Sequence, residues 1–437
     1  MKRSESAGKA PMENLSERDS RHIWHPLTQH KHHPHALPIE RASGAYLYDT
    51  SGKAYIDGIS SWYTCIYGHC HPYITGRVAA RMQQLDQVVF AGLTHQPAVS
   101  LAESLIEILP DNQEKVFFSD NGSTAVEVAL KMALQYHFNQ GRKKDLLLAF
   151  ESGFHGDTFG ALSVSGLSVY NGPFDGMALE VFRIPPPVEA DPQQTLAQLG
   201  KWVDTGRVAA FIYEPLVQGA AAMKTHHPEG LDRILGFLRT RGVLLVADEV
   251  MTGFGKTGTC FASEQLRVKP DLICLSKALS AGLLPLAVTT CTQEVYDAFY
   301  ADEVAKGFFH GHTYTANPLA CEAALAALEL YQSSEIQDGL KRVMESHREF
   351  AARMEGHPMV AEIRHIGAIL ALDIRIGAER YGDLRQQLYQ RGLENGVYLR
   401  PLGRTLYTLP PYVISQEALG QIYSTMESLL DYCSGLG

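Results

Sequence analysis

The chain reads as an α/β protein: a large domain with a mostly parallel sheet, and a small α+β domain built from both chain ends. Three observations predict it. Short strands are apolar throughout: KVFF (115–118), DLLLAF (145–150), VAAFIY (208–213), GVLLVA (242–247) and DLICLS (271–276). Such strands need both faces covered, as in a parallel sheet between helices. Helical patterns separate them, which is the βαβ rhythm. Outside about 75–325 that rhythm stops, and hairpin-like and mixed α+β text takes over.

Taken in order, residues 1–20 are polar and predict a frayed, disordered segment. GAYLYDTSGKAYIDG (44–58) predicts a β-hairpin, two alternating segments flanking Asp49-Thr50-Ser51-Gly52. KVFF leads into Ser119-Asp120-Asn121-Gly122-Ser123-Thr124, which opens a helix. After Asn317-Pro318 a helical stretch runs to about Glu355. Strands AILALDI and GVYLR then alternate with helices. The expected division is 1–74 and 326–437 for the small domain and 75–325 for the large one.

Composition excludes several classes. Hydrophobic residues make up 45% and charged residues 20%, an ordinary globular mix rather than a disordered or collagen-like one. Lys and Arg against Asp and Glu give 38 − 48 = −10, so nucleic acid is not an expected partner. No stretch has the ~18 or more apolar residues that span a bilayer, so no membrane partner is expected. The acidic residues among the first twenty argue against a transit peptide, and no apolar core suggests a secretory signal. Seven scattered cysteines without a C-x-x-C pair fit reduced thiols, hence a cytoplasmic location.

Two features resemble sites and are read otherwise. Gly253-Phe-Gly255-Lys-Thr-Gly258 matches G-x-G-x-x-G, but five residues separate it from the preceding strand and no long helix follows. Histidines 22, 25, 30, 32, 33 and 35, with His69-Cys70-His71, meet no standard zinc spacing. They are read as solvated or hydrogen-bonded, and no metal is expected.

The chemistry concentrates at strand ends. GVLLVA ends in Asp248-Glu249, and DLICLS ends in Lys277, 277 − 248 = 29 residues later. Open α/β sheets place ligands beyond the carboxyl ends of their strands. A desolvated lysine there offers a free amine for Schiff-base chemistry, and a buried acid needs a cationic partner. Pyridoxal phosphate would supply both an aldehyde and a protonated ring nitrogen. A plain ion pair at a sheet edge explains the two residues equally well. Gly122, Ser123 and the helix start suit a phosphate, and also an ordinary helix cap. Phe154, just past DLLLAF, is placed either to stack on a ring or to fill the core.

Together with GFGKTG, LSKAL (275–279), SDNGSTAVEVALK, GFHGDT, YEPLVQG and HTYTANPLAC, these residues resemble the class III aminotransferases of fold type I, over roughly residues 20–415. Five more segments are similar to the branch of that class serving biotin biosynthesis: HIWHPLTQ, ISSWYTCIYGHCHP, VVFAGLTHQPA, FHGHTYTANPLAC and VYLRPLGRTLYTLPPY. The resemblance implies that pyridoxal 5'-phosphate is bound by Lys277, Asp248, Gly122, Ser123 and Phe154. Thr313, with His312 beside it, would reach the phosphate of a neighbouring subunit, which implies a homodimer with shared sites. Trp62, Gly311 and Tyr407 would line a substrate channel, and Arg400 would clamp a carboxylate. The small-molecule substrates implied are 8-amino-7-oxononanoate, giving 7,8-diaminononanoate, and S-adenosyl-L-methionine as amine donor. The alternatives are lysine as donor, or another ω-amino acid or diamine reaction. Leu27 stands where the branch usually has Tyr, Lys256 for Arg, His312 for Pro and Phe154 for Tyr. The first three fall on substrate or donor recognition.

Overall fold

The computed structural model describes residues 14–32, 35–166, 172–177, 179–377, 380 and 382–436. The frayed start expected for residues 1–20 does not extend over its described part. Residues 1–13 lie outside the described residues, but Leu15–His22 is a helix. Asn14 caps it, its side chain accepting the Ser16 N–H at 3.1 Å. Glu17 in the first turn and Arg21 in the last complement the helix dipole. Its polarity conceals it from a reading based on hydrophobic period.

The predicted hairpin forms. Strands β1 (Ile39–Ser43), β2 (Tyr46–Asp49) and β3 (Ala54–Asp57) pair antiparallel in turn. Asp49 closes the turn by accepting the Ser51 and Lys53 N–H groups at 2.9 and 3.0 Å.

The large sheet contains β4 (Lys115–Ser119), β5 (Leu146–Phe150), β6 (Val181–Ile184) and β7 (Val208–Tyr213). A short ribbon follows, β8 (Val217–Gln218) and β9 (Lys224–Thr225). The sheet continues with β10 (Leu244–Asp248), β11 (Leu272–Leu275) and β12 (Ala287–Cys291). The strand order is β4-β12-β11-β10-β7-β5-β6. Only β12 runs against the rest. The sequence reading missed β6 and β12. β12 lies inside an uncharged stretch where Thr and Pro blur the pattern.

Alternation along the buried strands builds two cores. Ala210 and Ile212 of β7 and Val246 of β10 join Ala125, Ala129 and Ala133 of helix Gly122–Asn139 on one face. Phe211, Tyr213 and Leu245 join Leu231, Ile234 and Leu238 of helix Pro228–Arg239 on the other. The continuous apolar text of these strands is thus the sign of a sheet covered twice.

The helical stretch after Asn317 is two helices, Pro318–Tyr331 and Ser334–Met354, each with its own side-chain cap, Asn317 and Ser333. Beyond them, β13 (Val360–Ile366), β14 (Ile369–Ile374) and β16 (Thr405–Thr408) form a sheet. β15 (Val397–Tyr398) instead pairs parallel with β3, Val397 beside Ile56, and so ties the two chain ends together. Among the described residues no helix is long and apolar enough to cross a membrane.

Candidate active site

Five strands of the large sheet deliver their carboxyl ends to one cavity of about 500 Å³. β10 ends in Asp248, and β11 is followed by Ser276 and Lys277. β4 leads to Gly122 and Ser123, β5 to Phe154 and β7 to Glu214, and all of these line the cavity. Leu27, Trp62, Arg400 and Tyr407 complete the wall from the other sheets and the N-terminal segment.

Asp248 is buried. Its Oδ2 lies 2.7 Å from His155 Nδ1, and its Oδ1 accepts the Val250 N–H at 3.1 Å. His155 Nε2 is buried without a hydrogen-bond partner among the described residues. Burial holds the Lys277 amine below the ordinary lysine value, against the pull of Asp248 and Glu214. Its Nζ sits 5.1 Å from the centre of the Tyr63 ring. The site thus contains an amine biased toward its neutral form and an oriented carboxylate.

At another part of the cavity, Gly122 and Ser123 begin helix Gly122–Asn139. A reciprocal cap seals that end: Asn121 accepts the Thr124 N–H, and Thr124 Oγ1 accepts the Asn121 N–H, both at 3.1 Å. The loop 153–158 closes over it. Gly156 has φ +134°, and a Cβ there would lie 2.2 Å from Ser123 Oγ. Ser123 Oγ accepts the Asp157 N–H at 3.2 Å.

The wall carrying Trp62 is unusual. Ser60, Ser61, Trp62 and Tyr63 all have φ between 48° and 73°, forming one left-handed helical turn. That conformation costs an L-residue roughly 1–2 kcal/mol. The turn closes through Tyr63 N–H to Ile59 O and Thr64 N–H to Ser60 O, both 2.9 Å. It places the Trp62 ring 4.5 Å from the Arg400 guanidinium carbon and the Tyr63 hydroxyl 3.0 Å from that of Tyr407. Burial pushes the Tyr407 phenol up to about 12, so it stays a neutral hydrogen-bonding group.

Several participants escaped the sequence reading. Glu214 is buried, and accepts the Phe154 and Gly219 N–H groups at 3.0 and 2.9 Å. Burial raises its carboxyl to about 7. Tyr63, His155, Arg380 and Arg385 also line the cavity. Glu214 and His155 lie within the motif strings YEPLVQG and GFHGDT, so their neighbourhood was visible but their partners were not. Lys256 of GFGKTG is buried beneath the site. Its Nζ donates to Gly253 O at 2.7 Å, and burial lowers it to about 7. Residues 253–258 are turns followed only by a short 3-10 helix, not a nucleotide loop opening a long helix.

Gly311, His312 and Thr313 do not join this cavity. Thr313 is exposed and its carbonyl accepts from Gln87 Nε2 at 2.8 Å; His312 Nε2 is buried without a partner among the described residues. The N-terminal histidines are partly tied up: His25 lies 2.7 Å from Asp19, and His30 accepts the His25 N–H. His33 lies outside the described residues.

A doubly covered sheet, with a desolvated lysine and a buried aspartate at adjoining strand ends and a helix N-terminus across the cavity, suits Schiff-base chemistry on a phosphate-bearing cofactor. The class-III aminotransferase family model matches residues 27–430, and the chain belongs to that family. More particularly, it is 43% identical over 420 residues to the adenosylmethionine-8-amino-7-oxononanoate aminotransferase of Synechococcus elongatus, covering 94% of this chain and 98% of that one. The solved structure of the enzyme so named from Methanocaldococcus jannaschii superimposes with a TM-score of 0.89 at 30% identity, over 95% of this chain and 98% of that one. An amine transaminase from an uncultivated Pseudomonas species, solved in its PLP-bound form, gives 0.87 at 29% identity, over 94% and 99%. The enzyme is therefore a PLP-dependent aminotransferase of fold type I. The residues present fit that cofactor. Asp248 is a buried acceptor suited to a protonated ring nitrogen, and Lys277 is a desolvated amine suited to an aldehyde.

Proposed function

We propose that this aminotransferase moves an amine from S-adenosyl-L-methionine to 8-amino-7-oxononanoate, giving the 7,8-diaminononanoate of biotin biosynthesis. One observation carries the reading: the Arg400 guanidinium, stacked on Trp62, lines the same cavity as Lys277 and Asp248. A carboxylate bound there would leave the far end of a nine-carbon chain free to reach the amine. The relatives' names support the acceptor and donor.

Lys277 would hold the aldehyde of pyridoxal phosphate, Asp248 its ring nitrogen, Gly122 and Ser123 its phosphate, and Phe154 its ring face. When bound, the cofactor supplies an electron sink next to the substrate nitrogen. Lys277 Nζ takes the proton from the donor carbon that bears the amine. It delivers a proton to the acceptor's C7 in the second half-reaction. Asp248 is oriented by His155 and the Val250 N–H. Arg400 clamps the acceptor's carboxylate and Trp62 keeps the guanidinium plane in place. Tyr407, fixed by Tyr63, completes this chain's share of the substrate channel, and Gly311 would reach the channel of a partner subunit.

Leu27 gives the second reading its footing. It lines the cavity with no hydroxyl and no ring to offer an adenine, so lysine is the rival donor. Single-donor additions decide between them. Adenosylmethionine, lysine and ω-amino acids are added separately to holoenzyme, and the cofactor's visible absorbance is followed. Adenosylmethionine is expected to discharge it. Discharge by lysine alone replaces the donor, and discharge by ω-amino acids alone overturns the reading.

The reading extends to assembly and place. A homodimer in which His312 and Thr313 serve the partner's phosphate would explain why neither joins its own cavity. It would also cover Tyr300, Val304, Phe309 and Tyr314, each more than 60% exposed. The small domain from both chain ends is supported by the β3–β15 pairing. All seven cysteines are free, which suits a reducing cytoplasm.

A further inference from the structure

The left-handed turn at 60–63 needs something to hold it, because four successive L-residues do not adopt that conformation unaided. Asp57 meets that need. Its Oδ1 accepts the Ile59 N–H at 3.1 Å and its Oδ2 accepts the Ser61 N–H at 2.6 Å. One carboxylate thus grips the segment entering the turn and the turn itself. The same Oδ2 lies 2.8 Å from His69 Nε2. The Asp57 side chain is wholly buried and that of His69 is 10% exposed. A buried carboxylate demands a cationic or multiply donating partner. Burial works against charge on the His69 ring, but Asp57 and the Cys65 sulfur outweigh it and push the imidazole up to about 10.

His69 is itself fixed. Its backbone exchanges hydrogen bonds with Gly44, N–H to O at 2.8 Å and back at 3.1 Å, which docks it on the β1–β2 hairpin. Beneath the turn, Ser60 Oγ donates to Leu409 O at 2.7 Å, just beyond the strand carrying Tyr407. The chain from hairpin to pocket is therefore continuous: Gly44, His69, Asp57, the turn, then Trp62 and Tyr63 against Arg400 and Tyr407.

We propose that Asp57 and His69 are positioning residues for the acceptor subsite, locking a left-handed turn whose Trp62 orients Arg400 for the carboxylate. This rests on the reading that Arg400 takes the acceptor's carboxylate. Neither residue touches the lysine or the aspartate of the reaction. The loss therefore falls on acceptor binding and spares the donor half-reaction.

Three variants of the holoenzyme test it: Asp57→Asn, His69→Ala and His69→Gln. Asp57→Asn turns an amide N–H₂ toward one of two backbone N–H donors. His69→Ala leaves Asp57 without its partner. His69→Gln can still donate to Asp57 Oδ2. Asp57→Asn and His69→Ala are expected to raise the acceptor KM tenfold or more, with kcat within threefold and donor discharge of the visible absorbance unchanged. His69→Gln is expected to recover most of that loss. A second readout needs no substrate. The chain has three tryptophans, so a Trp24→Phe/Trp202→Phe background leaves Trp62 as sole reporter. Its fluorescence anisotropy should fall in Asp57→Asn and His69→Ala and return in His69→Gln. Unchanged anisotropy overturns the positioning role. Lowered anisotropy with an unchanged acceptor KM overturns the link to the carboxylate. If the unsubstituted enzyme does not aminate the oxo-acid, the proposed function fails, and anisotropy alone still decides whether the pair holds the turn. If Asp57→Asn does not fold, the two His69 variants carry the test.

Discussion

At the scale of the residue, the site works by desolvation. Lys277 is half-buried in a cavity wall, and desolvation biases its amine toward the neutral form that can take a proton. Lys277→Ala removes that base and the covalent anchor together. The proton-transfer contribution alone is about 10²–10⁴-fold, so turnover should fall at least that far. The melting temperature should hold, since the variant removes a half-buried cavity-wall side chain rather than a packed core group. Glu214 shows the opposite sign of the same effect. Its carboxyl titrates near 7 against an ordinary 4.5, through burial first. A raised folded value contributes stability that is complete below about 4.5 and lost as pH climbs through about 7. At ~1.4 kcal/mol per unit, the swing is at most about 3.5 kcal/mol. Melting temperatures between pH 5 and 8 should therefore decline with a steeper slope in the unsubstituted protein than in Glu214→Gln. Equal slopes would mean Glu214 does not titrate in that window.

At the scale of the element, the site depends on how strands and helix starts are terminated. Gly156 carries a positive φ and lies so close to Ser123 that any Cβ would displace its hydroxyl. Gly156→Ala should therefore push Ser123 away from the phosphate position. Cofactor affinity, read by titrating visible absorbance, should fall tenfold or more, about 1.4 kcal/mol. Unaltered affinity would remove the Ser123 region from phosphate binding. Elements also explain what could be read without coordinates. The five apolar strands, the helix opening at Gly122, and Asp248 and Lys277 at adjoining strand ends were legible because burial on both faces and ligand placement at strand ends leave marks in local text. β12 was not, because its Thr289 and Thr290 are buried polar residues that break the apolar run. The left-handed turn was invisible because SSWY contains no glycine or asparagine to signal positive φ. The roles of Asp57 and His69 depend on a contact across twelve residues that no local pattern encodes.

At the scale of the whole molecule, the segment 311–313 bears on how many chains make one site. The resemblance placed Thr313 at a cofactor phosphate, and the single chain keeps Gly311, His312 and Thr313 outside the cavity that holds Lys277. Both statements are satisfied if two chains exchange this segment about a twofold axis, each completing its partner's site. Complementation tests that geometry. Lys277→Ala and Thr313→Asp should each be inactive alone, the first lacking the reacting amine and the second setting a carboxylate against the phosphate. In a mixed dimer, one site then receives Lys277 from one chain and Thr313 from the other, and is intact. The second site carries both lesions. Random reassociation makes about half the dimers mixed, so about a quarter of the sites regain activity under a shared-site dimer. If Thr313 served its own chain's site, every site would carry one lesion and mixing would restore nothing.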